Sequence, residues 1–515
     1  MKVSWRDPLW VLGIVLLWRL FLFLFTAQPI PANDAFLFDG GVANWLKYGH
    51  YVNPCLERAF PISSGQVFSL YPPVYQLALL LWMLPFGFST LSIMAMHLTM
   101  FAAGAVIVIL MVRRFFPNDV NYGLAAALLL IITFNDRPED LAHIFGLVSL
   151  WLVANLISRP GPRLSTMVWL ILFLLLTLYT SIIVGAVYFG AGFIACGLAG
   201  WVQRRRVLVT PYFAVVVLFA AIVFWVMKVH PLWWQGFLEN SAKTPAVEGL
   251  RKPNLLDLIK LLRAAPVFIL AVAMMPFLYA RRKELILQEW LFLTAGVFLM
   301  GLLTLVLSMT VISPNYVLYT LYLQIILAAG LLALTNRLLP GCAGNIRILI
   351  LGCVLLVGIR AVGMTTWGVA CASKNSYWQT QSVLRKEFAP FTNSEAPVVI
   401  SSAFLYTATE AGVRHPIHSD WFYDRALTAA DADFQGMITL RPVKLVLTQF
   451  DYYRGFVTEL DKLRVHPELV TFQVRDLAAL RPPDAIPSLQ RVVQNISWAP
   501  VIVDLNWKPR DESGH

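Results

Sequence analysis

The sequence predicts a polytopic α-helical membrane protein that ends in a soluble α/β region. Three observations predict it. Of the 515 residues, 58% are hydrophobic and only 13% charged, where a soluble domain carries roughly 25% charged residues; mean hydropathy is +0.68. The apolar residues fall into runs of about 20, the length a helix needs to cross a bilayer. From Ala370 onward these runs stop and charged residues become frequent.

The net charge of +11 would suggest nucleic acid in a soluble protein. Here the Lys and Arg residues sit in short clusters between apolar runs, the pattern of cytoplasmic loops, so nucleic acid is excluded as a partner. Five cysteines without C-x-x-C spacing argue against a zinc site or a disulfide framework. The first apolar run is longer than a signal-peptide core and no small-residue cleavage site follows it. It reads as a retained first span.

That span is Pro8–Ala27. Arg19 lies inside it and either snorkels against neighbouring helices or points into the bundle toward an anionic group, since intramembrane charge is costly without a partner. External loop 28–89 follows. It ends in Tyr71–Gly87, which opens on a Pro pair and is too short to span, so it reads as a helix lying at the outer interface. Thr90–Val112 then runs inward to Arg113 and Arg114, and Tyr122–Phe134 returns outward to loop 135–140. Leu141–Ile157 runs inward to Arg159 and Arg163. Ser165–Trp201 holds two spans with a turn near Ser181 and ends at Arg204, Arg205 and Arg206. Val207–Met227 leads out to loop 228–263. Ala264–Ala280 returns to Arg281, Arg282 and Lys283; Trp290–Thr310 goes out; Tyr316–Leu334 returns toward Arg337 and Arg347; Ile348–Trp367 goes out. This makes about 11 transmembrane helices. Every Arg cluster falls on one side, which places the N-terminus in the cytoplasm and the C-terminal end outside. Had Tyr71–Gly87 spanned, all those clusters would be external.

Two domains follow: a transmembrane domain, 1–369, and an extracytoplasmic α/β domain, 370–515. In the second, short apolar runs at Val398–Ser401, Lys444–Thr448 and Val501–Leu505 alternate with helix-like stretches such as Ala430–Leu440, the pattern of strands and helices interleaved. It carries no catalytic pattern, and acceptor recognition is its expected role. Cys55 and Cys371 both fall on the outer side, where an oxidising compartment permits a disulfide.

Polar residues gather in the external loops rather than at bilayer depth. That weighs against an ion or proton pathway, which needs charges in mid-membrane, and favours a reaction at the outer face. The stretch from Pro31 to Tyr75 is the richest. Asp34 precedes a helix-like segment; it can cap that helix, but Asn33 serves equally well and leaves Asp34 free. Asp39 points about 140° away from Asp34 on such a helix, so the two are not expected to form a close pair, and Asp39-Gly40-Gly41 reads as a helix break. In the second loop, Asp136, Arg137, Glu139 and Asp140 cluster around Pro138. The carboxylates suit a helix N-terminus; functionally, Arg137 suits a phosphate, and Asp136 or Asp140 a sugar hydroxyl or a metal. In the third loop, His230, Glu239 and Lys243 are candidates, with Arg251 and Lys252 as further cations. Tyr71 is either an interfacial anchor or a ligand.

The loop pattern resembles the GT-C glycosyltransferases that use polyprenyl-phosphate sugars, a group including the bacterial aminoarabinose transferases and the protein O-mannosyltransferases. Their first external loop opens with Asp, continues through a helix to a Gly followed by an aromatic, and reaches a Pro-Pro segment on an interfacial helix. Asp34, Gly49, Tyr51, Tyr71, Pro72 and Pro73 occupy those places here. Ala35 replaces the usual Glu, and Tyr71 stands where the aminoarabinose enzymes carry Lys, so the phosphate must draw on other cations. The resemblance covers roughly the first 330 residues in layout.

It implies a bacterial inner-membrane enzyme transferring a sugar, with inversion, from a polyprenyl phosphate to an acceptor hydroxyl on a glycan, lipid or protein. Asp34 is the implied general base, and Arg137, Lys243 and Arg19 are candidates to stabilise the departing phosphate. No cofactor is required; a divalent metal is compatible with the acidic clusters. Two other classes stay open. An O-antigen ligase or polymerase-like enzyme also works on lipid-linked sugar but needs no soluble C-terminal domain. A transporter or flippase requires paired half-helices and mid-membrane polar sites, which the sequence does not show.

Overall fold

The structure, a computed structural model, describes residues 6–26, 35–69, 71–116, 137–158, 163–248, 321–341, 344–352, 377–392, 394–419, 432–448, 456–476 and 500–509, with scattered residues between them. Among these, four helices are long and apolar enough to cross a membrane: Thr90–Phe115 (α4), Glu139–Ser158 (α5), Ile182–Val202 (α7) and the segment Arg206–Val229, whose α-helical part is Thr210–Val229 (α8). Other apolar helices join them: Arg6–Thr26 (α1), Pro73–Phe86 (α3), Leu164–Thr180 (α6) and Leu321–Leu338 (α10). This is a multi-pass membrane protein. Phe213, Val217, Phe224 and Trp225 of α8 point outward from the bundle, as lipid-facing side chains do.

Helix ends follow local chemistry. Ser89 caps α4, its hydroxyl accepting from the Ser92 amide at 3.1 Å, and Arg113 and Arg114 occupy the last turn, where cations meet the negative end of the helix dipole. Helices α6 and α7 meet at Ser181, the turn expected from the sequence. Expected spans Tyr122–Phe134, Ala264–Ala280, Trp290–Thr310 and Ile348–Trp367 lie wholly or largely outside the described residues.

The first loop folds into Ala35–Tyr48 (α2), a 3-10 turn at Pro54–Leu56, and α3. Asp39-Gly40-Gly41 does not break α2, contrary to expectation. The two glycines let other chain segments approach the helix. A Cβ on Gly40 would stand 2.4 Å from Asn53 Nδ2, and one on Gly41 2.5 Å from Phe68 Cγ. Asn53 in turn donates to the Phe36 carbonyl at 3.0 Å.

Near the C-terminus the described residues form a five-stranded mixed sheet in the order β2-β1-β3-β5-β4. Strands Val398–Ile400 (β1), Pro416–His418 (β2) and Lys444–Thr448 (β3) are parallel; Pro500–Trp507 (β5) runs antiparallel to β3 and to Val470–Asp476 (β4). Helices Tyr377–Phe388 (α11), Ser402–Ala411 (α12), Ala432–Leu440 (α13) and Val457–Arg464 (α14) accompany it. β1 is buried throughout, as the middle strand of a parallel set must be.

One apolar cluster runs through both halves of the chain. It joins Phe36, Phe38, Leu56, Phe60 and Tyr75 of the first loop to Tyr377, Phe404, Tyr406 and Val398 of the C-terminal region. The C-terminal region therefore shares a core with the first loop. Cys55 sits in that cluster as a free, buried thiol; Cys371, its conceivable disulfide partner, lies outside the described residues.

Candidate functional site

Helix α2 presents Phe38 to the residues that lead into α5. The Phe38 ring meets Tyr71 edge-on with centroids 4.5 Å apart, and the Arg137 guanidinium lies 5.3 Å above the same ring, within cation–π range. Arg137 Nε is 3.2 Å from Glu139 Oε2, and the Tyr71 hydroxyl donates to Glu139 Oε1. Three residues expected at the site from sequence, Tyr71, Arg137 and Glu139, thus come together on an aromatic platform that sequence reasoning missed. Its one sequence signal was an aromatic one helical turn after Asp34.

The cluster is ordered by burial. Glu139 is buried, while the Arg137 side chain keeps 19% of its surface. Arg137 and the half-buried Tyr71 are the members that a ligand can reach. Glu139 and Asp140 occupy the first turn of α5, where carboxylates are favoured by the helix dipole, and the Asp140 amide donates to the Arg137 carbonyl at 3.3 Å. Asp34 and Asp136 lie outside the described residues; α2 begins at Ala35. Both Glu139 oxygens are engaged, by Tyr71 and by Arg137, so this carboxylate serves to hold the cation. Among the described residues no group of three or more His, Cys, Asp or Glu forms a metal-binding cluster.

Asp39 faces the other side of α2 and is fully buried. The Tyr75 hydroxyl donates to Oδ1 at 2.9 Å and the Tyr406 hydroxyl to Oδ2 at 2.7 Å. His97 Nε2 stands 3.2 Å behind the Tyr75 hydroxyl. Burial pushes the Asp39 carboxyl up to about 7, with the two phenol hydrogen bonds opposing that rise.

The other expected residues are spread apart. Arg19 is buried within the bundle, donating to the Leu129 carbonyl at 2.8 Å and lying 4.9 Å over the Phe101 ring. Glu239, on Pro231–Glu248 (α9), accepts from the Ile62 and Ser63 amides at 3.1 and 2.8 Å. It fastens the first loop rather than joining the Arg137 cluster. His230 is exposed at the end of α8, edge-on to Trp225 at 6.1 Å. Lys243 lies on α9 with its side chain outside the described residues. A buried His143 Nδ1 sits 3.0 Å from the Tyr188 hydroxyl, one turn below Glu139 on α5, a contact the sequence did not suggest.

No family model matches this chain and no curated protein sequence matches it. Solved structures do. The crystal structure of ArnT from Cupriavidus metallidurans in the apo state matches over 95% of this chain and 97% of its own, at 12% identity and a TM-score of 0.50. The same protein bound to undecaprenyl phosphate matches over 95% and 98%, at 13% identity and a TM-score of 0.52.

The chain has the GT-C fold.

A third solved structure, the archaeal oligosaccharyltransferase AglB from Archaeoglobus fulgidus in complex with an inhibitory peptide and a dolichol-phosphate, matches over 87% of this chain and 70% of its own, with 12% identity and a TM-score of 0.46. The GT-C likeness to ArnT spans the sheet-bearing C-terminal region as well as the helices, where the sequence pattern covered only the first two thirds. In this GT-C fold the first loop, the second loop and α12 meet around the two faces of α2.

Proposed function

We propose that this protein is a membrane glycosyltransferase that moves a sugar from a polyprenyl-phosphate donor to an acceptor hydroxyl at the outer face of a bacterial inner membrane. The observation that carries the reading is the convergence of Arg137, Glu139 and Tyr71 on Phe38, in a chain whose fold matches a protein solved with undecaprenyl phosphate. The N-terminus lies in the cytoplasm, and the sheet-bearing region, 370–515, faces the periplasm as an α/β domain.

In the reaction, Asp34 accepts the proton of the acceptor hydroxyl as general base. The hydroxyl oxygen attacks the anomeric carbon opposite the phosphate through an oxocarbenium-like state, the bond to the phosphate oxygen breaks, and the configuration inverts. The departing polyprenyl phosphate gains negative charge. Arg137, held by Glu139 and Phe38, supplies a fixed positive charge there at no cost of reorganisation, in place of the Lys that the aminoarabinose enzymes carry before their Pro pair. Lys243 of the third loop is a second cation for the same group. Tyr71 keeps Glu139 turned toward Arg137, and Asp136 or Asp140 orients sugar hydroxyls.

The test is donor turnover by purified protein with a panel of polyprenyl-phosphate sugars, for wild type and Arg137→Ala. Loss of donor binding and turnover in a folded Arg137→Ala variant supports the reading. Wild-type protein that neither binds nor consumes any such donor contradicts it.

A further inference from the structure

Asp39 performs no chemistry in the transfer just described, yet it is the most deeply buried carboxylate among the described residues. Burying an ionisable group costs several kcal/mol unless it is well paired, and an apolar side chain at this position of α2 would pack at no such cost. What the carboxylate provides is direction. Its two oxygens are taken by phenols from opposite elements, Tyr75 of α3 and Tyr406 of α12, so only one rotation of α2 about its axis satisfies both.

The neighbouring residues of α2 are fixed by the same two helices. Gln76 of α3 donates to the Phe38 carbonyl at 2.6 Å, and the Phe36 ring packs edge-on against Tyr406 with centroids 5.1 Å apart. Helix α12 makes two further polar ties to the helical bundle. The Thr409 carbonyl accepts from Lys47 at the far end of α2. Glu410 accepts from the Thr90 hydroxyl at 2.8 Å and from the Thr90 amide at the start of α4. A ten-residue helix of the C-terminal region thus grips α2 at both ends, and the grip nearer Asp34 is the Asp39 carboxylate.

We propose that Asp39 is a positioning residue for the transfer site, through which α12 sets the seat of α2, the helix that directly follows Asp34 in the chain. The proposal rests on the transferase reading and assigns the C-terminal region a part in it: an intact Tyr406–Asp39 contact is a condition for transfer. The groups facing Asp39 are Tyr75 from α3, Tyr406 from α12 and, behind Tyr75, His97 from α4; Lys47 and Glu410 lie at the other end of the α2–α12 contact. Since burial brings the Asp39 carboxyl to about 7, the seat of α2 changes character as pH passes through neutrality.

The experiment uses the full chain in lipid nanodiscs as wild type, Tyr406→Phe and Asp39→Asn, two variants that remove one oxygen or one charge without changing shape. Hydrogen exchange of 35–48 and 402–411 is read first, because it needs no substrate. Tyr406→Phe is expected to speed exchange in both segments by about tenfold, the loss of one charge-assisted hydrogen bond. Asp39→Asn is expected to lack the extra rise in exchange of 35–48 expected of wild type as pH climbs to about 7. Turnover of a polyprenyl-phosphate sugar is read second. Tyr406→Phe is expected to lower kcat by about tenfold or more, as a displaced reacting group does, while donor KM moves by less than about twofold because Glu139 and Tyr71, which lie off α2, keep Arg137 in place. Unchanged exchange, or faster exchange with unchanged kcat, overturns the assignment. If wild type turns over no donor, the transferase reading fails on that result alone, and Asp39 loses its positioning role with it; the exchange data then report only whether α12 is held on α2.

Discussion

The Tyr71 hydroxyl donates to the Glu139 carboxylate, joining the residue before the Pro pair of the first loop to the first turn of α5 across 68 residues of chain. Glu139 passes the constraint on to Arg137 at 3.2 Å. An exposed Arg–Glu pair is worth little. Here the carboxylate is buried, the cation stacks on Phe38, and the geometry serves to aim the guanidinium.

That arrangement predicts graded losses. Arg137→Ala should raise donor KM by about tenfold or more, the value of a hydrogen bond to a charged group. Arg137→Lys should recover only part of the affinity, since an ammonium keeps the charge but loses the planar fork. Glu139→Gln should weaken binding less than Arg137→Ala, because the guanidinium survives without its anchor. Equilibrium binding of a polyprenyl-phosphate sugar to each variant checks the order.

Asp39 predicts a pH dependence of stability. Its carboxyl rises from 3.8 to about 7 in the folded protein, so the stability it contributes is fully present below the unfolded value and is lost as pH rises through about 7. Thermal unfolding of wild type should therefore weaken from mildly acidic to mildly alkaline pH relative to Asp39→Asn, which should lack that part of the decline. Parallel curves for the two proteins would remove Asp39 as the cause.

Glu239 predicts a local effect. It accepts from two backbone amides of the first loop, Ile62 and Ser63. Glu239→Ala leaves those donors without their acceptor, which should cost about 1–3 kcal/mol. Proteolysis of the loop between Tyr51 and Phe68 should accelerate, while donor affinity stays near wild type, since Glu239 does not join the Arg137 cluster.

The sheet carries its own signature. Arg475 hydrogen-bonds Glu387 with two parallel contacts of 2.9 Å, and Lys444 adds a third at 2.7 Å. These, with Arg475 foremost and burial opposing, hold the Glu387 carboxyl down to about 2. Its contribution is present above the ordinary carboxylate value and lost as pH falls through about 2. Hydrogen exchange of 470–476 and 500–507 should accelerate in strong acid for wild type, and Glu387→Gln should show the faster exchange already at neutral pH.

Much of this was legible in the sequence, for identifiable reasons. Apolar runs gave a span Thr90–Val112, which the helix extends to Phe115, and the Ser181 turn, because lipid leaves a helix little choice but to satisfy its own backbone. The alternating runs gave β1, β3 and β5. β2 was missed because Pro416–His418 is three residues long, and β4 because Val470–Asp476 lies at the sheet edge with polar residues at alternate positions. At the site, Tyr71, Arg137 and Glu139 were legible as chemistry but not as a cluster. Phe38 reads as an ordinary apolar helix residue until its partners are known. Asp39 was misread for a different reason: a glycine pair following an acid suggests a break locally, and only Asn53 and Phe68, packed against Gly40 and Gly41, show why the helix continues. The Tyr406 contact spans 367 residues and leaves no local trace.

The central claim is a transfer reaction driven from the N-terminal end of α2. The most direct test follows consumption of a polyprenyl-phosphate sugar, in the presence of a hydroxyl acceptor, by wild type, Asp34→Asn and Asp39→Asn. Asp34→Asn should bind the donor as wild type does and lose turnover by about a hundredfold or more, the contribution of a general base, while Asp39→Asn retains measurable turnover with an altered pH profile. Full turnover by a folded Asp34→Asn variant would contradict the account.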